Sequence, residues 1–221
     1  MNIEALKQVF GSITKATEIM YLMYGQKPVV RQGFYDNEIG RVKEFCRRHN
    51  LTYETAPYKV ILADSHKRYS NKGLKARIDD PRRGMFFVYI SKDETRATEA
   101  RVHEMKDNYR ELGLDLGYPE CCVDFFYKNE PERSKLDNDY ILPALNNSEG
   151  FSFPFYTNIL KRNQDSVLLS HFPHSFKCEE SINIAKRRLK MIMELEPTLA
   201  MKLVRELKCK VRIGSKTVEF S

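Results

Sequence analysis

Three of the chain's five cysteines and two of its five histidines fall in two short boxes about fifty residues apart. The first runs Leu116-Gly117-Tyr118-Pro119-Glu120-Cys121-Cys122. The second runs His171-Phe172-Pro173-His174-Ser175-Phe176-Lys177-Cys178. Each sits where a helix should start. Pro119 suits the first helical position, which places Cys121 and Cys122 in the first turn. Pro173 forbids a regular helix through His171, and Ser175 suits an N-cap, with Cys178 then at the third helical position. Free N–H groups and the positive end of the helix dipole favour thiolate there. A structural helix gains nothing from adjacent cysteines at its start. The two boxes therefore predict one shared site, and a fold that brings two helix N-termini together.

The candidate ligands are Cys121, Cys122, His171, His174 and Cys178. That is one more than a closed zinc site takes. The spacing is not that of a zinc finger, because no C-x-x-C is present. The donor set suits zinc or iron, including an iron–sulfur cluster with mixed cysteine and histidine ligation. A metal-free thiol enzyme is the alternative, with Cys121 or Cys122 as nucleophile and His171 as base. Glu120 is a further catalytic candidate. Its plainer reading is a carboxylate complementing the helix dipole.

The matching segments, LGYPECCVDFF and HFPHSFKCEESINIAKRRL, resemble a mostly archaeal prokaryotic family known only as domain of unknown function 483. That family carries a box like L-G-Y-P-E-C-C followed by aromatics, and a later box like H-x-P-C-S-x-x-C-x-x-S. The resemblance covers roughly residues 110–195. It implies paired boxes but no activity. This chain has His174 where the family pattern has cysteine. Cysteine and histidine exchange more readily at metal ligands than at nucleophiles, so the difference favours a metal and counts against an all-cysteine cluster.

Helical periodicity predicts helices over 3–24, 36–49, 93–111, 119–128, 176–194 and about 198–207. Cys46 falls on the apolar face of the second and reads as core. Strands are expected at Leu51–Thr55, Tyr58–Ala63, Met85–Ile90, Val167–Ser170, Cys209–Ile213 and Thr217–Phe220, the last two joined by a turn at Gly214-Ser215. Residues 64–84 read as a long basic loop. Lys186, Arg187, Arg188 and Lys190 read as a solvated run. The class expected is α+β (or α/β), with a small central sheet, flanking helices and a mostly helical C-terminal half. One domain over 1–221 is expected, with a possible subdivision into 1–112 and 113–221.

No apolar run approaches the roughly 18–20 residues of a membrane span. The N-terminus lacks a signal-peptide core, so a cytoplasmic location is expected, where thiols stay reduced. An odd cysteine count then favours ligands or core over disulfides. The net charge of +7 is compatible with a nucleic acid or nucleotide partner, and equally with a plain basic surface. Lys67, Arg68, Arg82 and Arg83 are the candidate anion contacts. The reading is a metal-binding protein with one Cys/His site, a candidate enzyme on a nucleotide, RNA or other anionic substrate. The alternatives are the thiol enzyme and a nucleic-acid-binding module with a structural metal. Oligomeric state is left open.

Overall fold

The computed structural model describes residues 2–62, 73–129 and 139–221. They form two units, residues 3–118 and 119–221. The class is α+β. The larger sheet is antiparallel throughout, without the parallel crossovers of an α/β fold among the described residues.

The first unit opens with α1 (Ile3–Phe10) and α2 (Ile13–Met23), where the apolar periodicity predicts one helix. Gly11 turns left-handed at φ 87°, and the Ser12 hydroxyl accepts the Lys15 N–H at 3.2 Å as a new N-cap. The break is thus local chemistry that the apolar stripe hides. β1 (Val29–Tyr35) leads into α3 (Asp36–Arg48), whose Glu38 carboxylate takes the Tyr35 N–H at 2.9 Å. β2 (Thr52–Leu62) is one strand rather than the expected pair, because a bulge between Thr55 and Lys59 accommodates the exposed Pro57. The expected loop contributes an edge strand, β3 (Gly73–Ala76). β4 (Met85–Ser91) lies centrally in the order β1-β4-β2-β3.

The helix expected over 93–111 is also two, α4 (Glu94–Met105) and α5 (Tyr109–Asp115), separated at Asp107 with φ 54°. One face of the sheet gives Val29 and Tyr89 to a core with Ala100 of α4 and with Leu112 and Leu116. On the other face Phe34 meets Phe10, which meets Phe45 of α3 edge-on. Cys46 is buried beside Phe45, as its periodicity predicts.

α5 ends in a Schellman motif. The Tyr118 N–H reaches the Gly113 carbonyl at 3.1 Å and the Gly117 N–H reaches that of Leu114 at 2.9 Å. Gly117 has φ 74°, and a Cβ there would lie 2.7 Å from Pro28 Cδ. Gly117→Ala carries the left-handed penalty of roughly 1–2 kcal/mol with a backbone-fixed ring clash added. Urea unfolding should show at least that loss. Unchanged stability would mean the glycine is dispensable.

The second unit holds α6 (Glu120–Asn129), α7 (Ile141–Asn146), β5 (Ser152–Phe153), a 3₁₀ turn at Phe155–Thr157, α8 (Glu179–Leu195), α9 (Pro197–Leu207), β6 (Cys209–Ile213) and β7 (Lys216–Phe220). The hairpin at Gly214-Ser215 forms as expected, and β5 pairs parallel to β7. Phe153, Phe176 and Phe220 pack mutually at 5.2–5.8 Å. The expected strand over Val167–Ser170 does not form. Val167, Leu168 and Leu169 are buried, but Arg188 of α8 donates to the Leu168 carbonyl at 2.9 Å in place of a ladder. Arg188 is only 2% exposed, so that charge of the basic run belongs to the interior.

Candidate metal centre

The Pro119 carbonyl accepts the Val123 N–H at 3.0 Å, the first helical bond of α6. Cys121 and Cys122 therefore occupy the opening turn, with Cys121 exposed and Cys122 buried. α8 starts later than its sequence suggests. Ser175 does not cap it; its hydroxyl accepts the Lys177 N–H at 3.1 Å in a preceding turn. Cys178 is the N-cap itself, its Sγ accepting the Ser181 N–H at 3.5 Å.

The approach to α8 is pinned by residues the sequence does not mark as functional. Asn147 Nδ2 donates to the His174 carbonyl at 2.9 Å, and the Phe176 N–H to Ser148 Oγ at 2.9 Å. Thr157 Oγ1 donates to the Phe176 carbonyl at 2.7 Å. The only signal for Asn147 and Ser148 is their polar character after α7, which reads as ordinary loop.

The two boxes meet. The side-chain ligand atoms of Cys121, Cys122, His174 and Cys178 all lie within 4.8 Å of one another. Cys121 and Cys122 sulfurs are 4.0 Å apart, Cys121 and Cys178 3.8 Å, and Cys122 and Cys178 3.6 Å. Cys122 Sγ is 3.5 Å from His174 Nδ1 and receives the His174 backbone N–H at 3.3 Å. This group can hold a metal ion. His171 stands outside it. Its Nε2 is 2.9 Å from Ser181 Oγ, which in turn is 3.4 Å from Cys122 Sγ. The five-residue set is thus gathered as four candidate ligands and one neighbour.

The three thiols share charge unequally. Hydrogen bonding from Cys122 and from Ser181, with the nearby His174, outweighs burial and draws Cys178 down to about 4. Cys122 moves up, because its proton serves that bond and because it is buried. Burial and the Cys178 charge also raise Cys121. The hydrogen bond between Cys122 and Cys178 thus favours negative charge on Cys178 over Cys122. A bound dication would displace thiol protons.

Glu120 is exposed in the first turn of α6, outside the four. Lys67 and Arg68 lie outside the described residues. Arg82 forks onto Asp80 at 3.0 and 2.8 Å, and Arg83 stacks over Tyr35 at 4.1 Å. Both cations thus have a partner within the first unit. No helix among the described residues is long and apolar enough to cross a membrane. No family model, no curated protein and no solved structure matches the chain.

Proposed function

We propose that the second unit is a zinc-binding module in which Cys121, Cys122, His174 and Cys178 hold one tetrahedral ion. The observation that carries this is the spacing of the sulfurs. A zinc–sulfur bond of about 2.3 Å gives a tetrahedral sulfur–sulfur edge of about 3.8 Å. The observed edges are 4.0, 3.8 and 3.6 Å. A [4Fe–4S] cluster puts each cysteine on a different iron and a [2Fe–2S] cluster puts at most two on one iron, so neither holds three cysteine sulfurs in mutual contact. The packing of three sulfurs against one another therefore supports a single ion.

Four protein ligands complete the shell, which is the pattern of a structural rather than a catalytic zinc. The ion would tie the first turn of α6 to the N-cap of α8. The metal-free thiol enzyme fits less well. A reactive cysteine is both accessible and low in pKa. Here the low-pKa thiol is buried Cys178, and the exposed one, Cys121, is raised. The likeness of the boxes to the family named above supports the same reading, since His174 supplies an imidazole where that pattern has a thiol.

Anaerobically purified protein should contain one zinc per chain and show a featureless visible spectrum. His174→Cys should retain the metal, because thiolate and imidazole both suit zinc, and His174→Ala should lose it. Visible absorption with bound iron would replace zinc by iron. Wild type without any metal, melting at the same temperature as both variants, would end the proposal.

A further inference from the structure

We infer that His171 is a positioning residue rather than a ligand, acting through Ser181 on the Cys122 sulfur. The inference rests on the metal reading above and deepens it. Ser181 is fully buried, as is most of His171, with 0% and 5% exposure. Ser181 Oγ lies between His171 Nε2 at 2.9 Å and Cys122 Sγ at 3.4 Å.

The direction of both bonds follows from proton counting. A metal-bound cysteine is a thiolate and has no proton to give. A serine hydroxyl has one proton. Ser181 must donate it to Cys122, so its oxygen accepts from His171. His171 Nε2 therefore carries hydrogen, and the chain runs His171 to Ser181 to Cys122. Cys122 then receives two hydrogen bonds, from Ser181 Oγ and from the His174 backbone N–H at 3.3 Å. Such bonds orient the ligand and draw electron density from its sulfur. Loss of an outer partner of this kind typically weakens metal binding about 10–100-fold. The Ser181 backbone N–H meanwhile serves Cys178 Sγ. One residue thus supports two ligands, and His171 decides which way its hydroxyl turns.

Cobalt(II) loaded into the full chain provides the test, because its thiolate charge-transfer bands report on the sulfur. Affinity is read by competition with a chelator. His171→Leu and Ser181→Ala should each bind cobalt about 10–100-fold more weakly than wild type and shift the charge-transfer band to lower energy. The double variant should be no weaker than Ser181→Ala, because both single changes break the same chain from His171 through Ser181 to Cys122. His171→Gln, which can donate an N–H, should restore both affinity and band. Ser181→Ala and His171→Gln keep the test open if His171→Leu does not fold. A band and affinity in His171→Leu equal to those of wild type overturn the inference and leave the metal site standing. Fully additive losses overturn it too, as does a tetrahedral spectrum lost in every His171 variant, which would make His171 a ligand. Wild type that takes up no cobalt sinks the metal reading itself.

Discussion

Replacing Cys178 by serine is expected to destabilise the second unit strongly, although serine is the better N-cap. The sulfur has one observed role at the start of α8 and one proposed role, and the two are separable. As a cap it accepts the Ser181 N–H, a role worth about 1 kcal/mol that a serine hydroxyl performs at least as well. As a ligand in the proposed zinc site it would stand with Cys121, Cys122 and His174, whose ligand atoms cluster with its own, and there a hydroxyl is a poor substitute for thiolate. An ion whose dissociation constant lies a thousandfold below its free concentration adds about 4 kcal/mol to folding. The ligand role outweighs the cap role, so the sign of the change separates them. For a unit of this size, losing most of that contribution lowers the melting temperature by more than about 10 °C.

Calorimetry in the presence of zinc, and again with excess chelator, gives the reading. Wild type should fall towards Cys178→Ser when chelator is added, while the variant should not respond. Equal or higher stability of Cys178→Ser in zinc would reduce the thiol to a cap. The same experiment on Cys121→Ser tests the exposed thiol of the proposed site, which has no capping bond to confuse the result.

The boxes are legible in the sequence because proline and cysteine act locally. Pro119 fixes the start of α6, and with it the turn that carries both thiols. Their meeting with His174 and Cys178 also follows from donor chemistry alone. The exclusion of His171 does not. It lies three residues from His174, and nothing in sequence spacing reveals that its ring turns to Ser181 rather than to the thiols. The start of α8 is hidden for a related reason. Ser175 has the chemistry of an N-cap but directs its hydroxyl to the Lys177 N–H, leaving the cap to a cysteine that ranks poorly on propensity. The buried run at Val167–Leu169 has the composition of a strand. What replaces its ladder is Arg188, whose position in a basic run conceals its burial. Periodicity reports which residues leave water; it does not report which polar group meets them there.

Glu104→Gln should produce the largest loss in the first unit, and the loss should shrink in acid. The Glu104 side chain is 4% exposed and forks with Arg31 of β1. It also accepts the Tyr58 hydroxyl at 2.9 Å and the Tyr89 hydroxyl at 2.6 Å. Arg31 and Tyr89 are direct partners across β1 and β4, so α4 delivers the carboxylate onto a preformed cross-strand pair. Arg31 also stacks on Phe87 at 3.6 Å. Glutamine keeps the shape but removes the charge opposite Arg31. Breaking a buried ion pair on one side costs about 3–5 kcal/mol, far above the median for exposed pairs such as Arg77–Asp79.

The pH dependence has a definite sign. Burial pushes the Glu104 carboxyl up, but the Arg31 charge, its hydrogen bonds and the two tyrosine hydroxyls together bring it below its ordinary value. A carboxylate depressed on folding stabilises the protein above its unfolded pKa of about 4.3, and that contribution disappears as pH falls through the lower folded value. Wild type and Glu104→Gln should therefore differ most at neutral pH and converge in acid. Urea titrations of both proteins from neutral pH downward measure the difference. A constant gap across that range would mean that glutamine fails through packing and not through charge. No gap at neutral pH would show that the pair merely offsets its own desolvation. Arg31→Met, which removes the opposing charge while keeping apolar contact with Phe87, would then be tolerated in combination with Glu104→Gln but not beside the native Glu104.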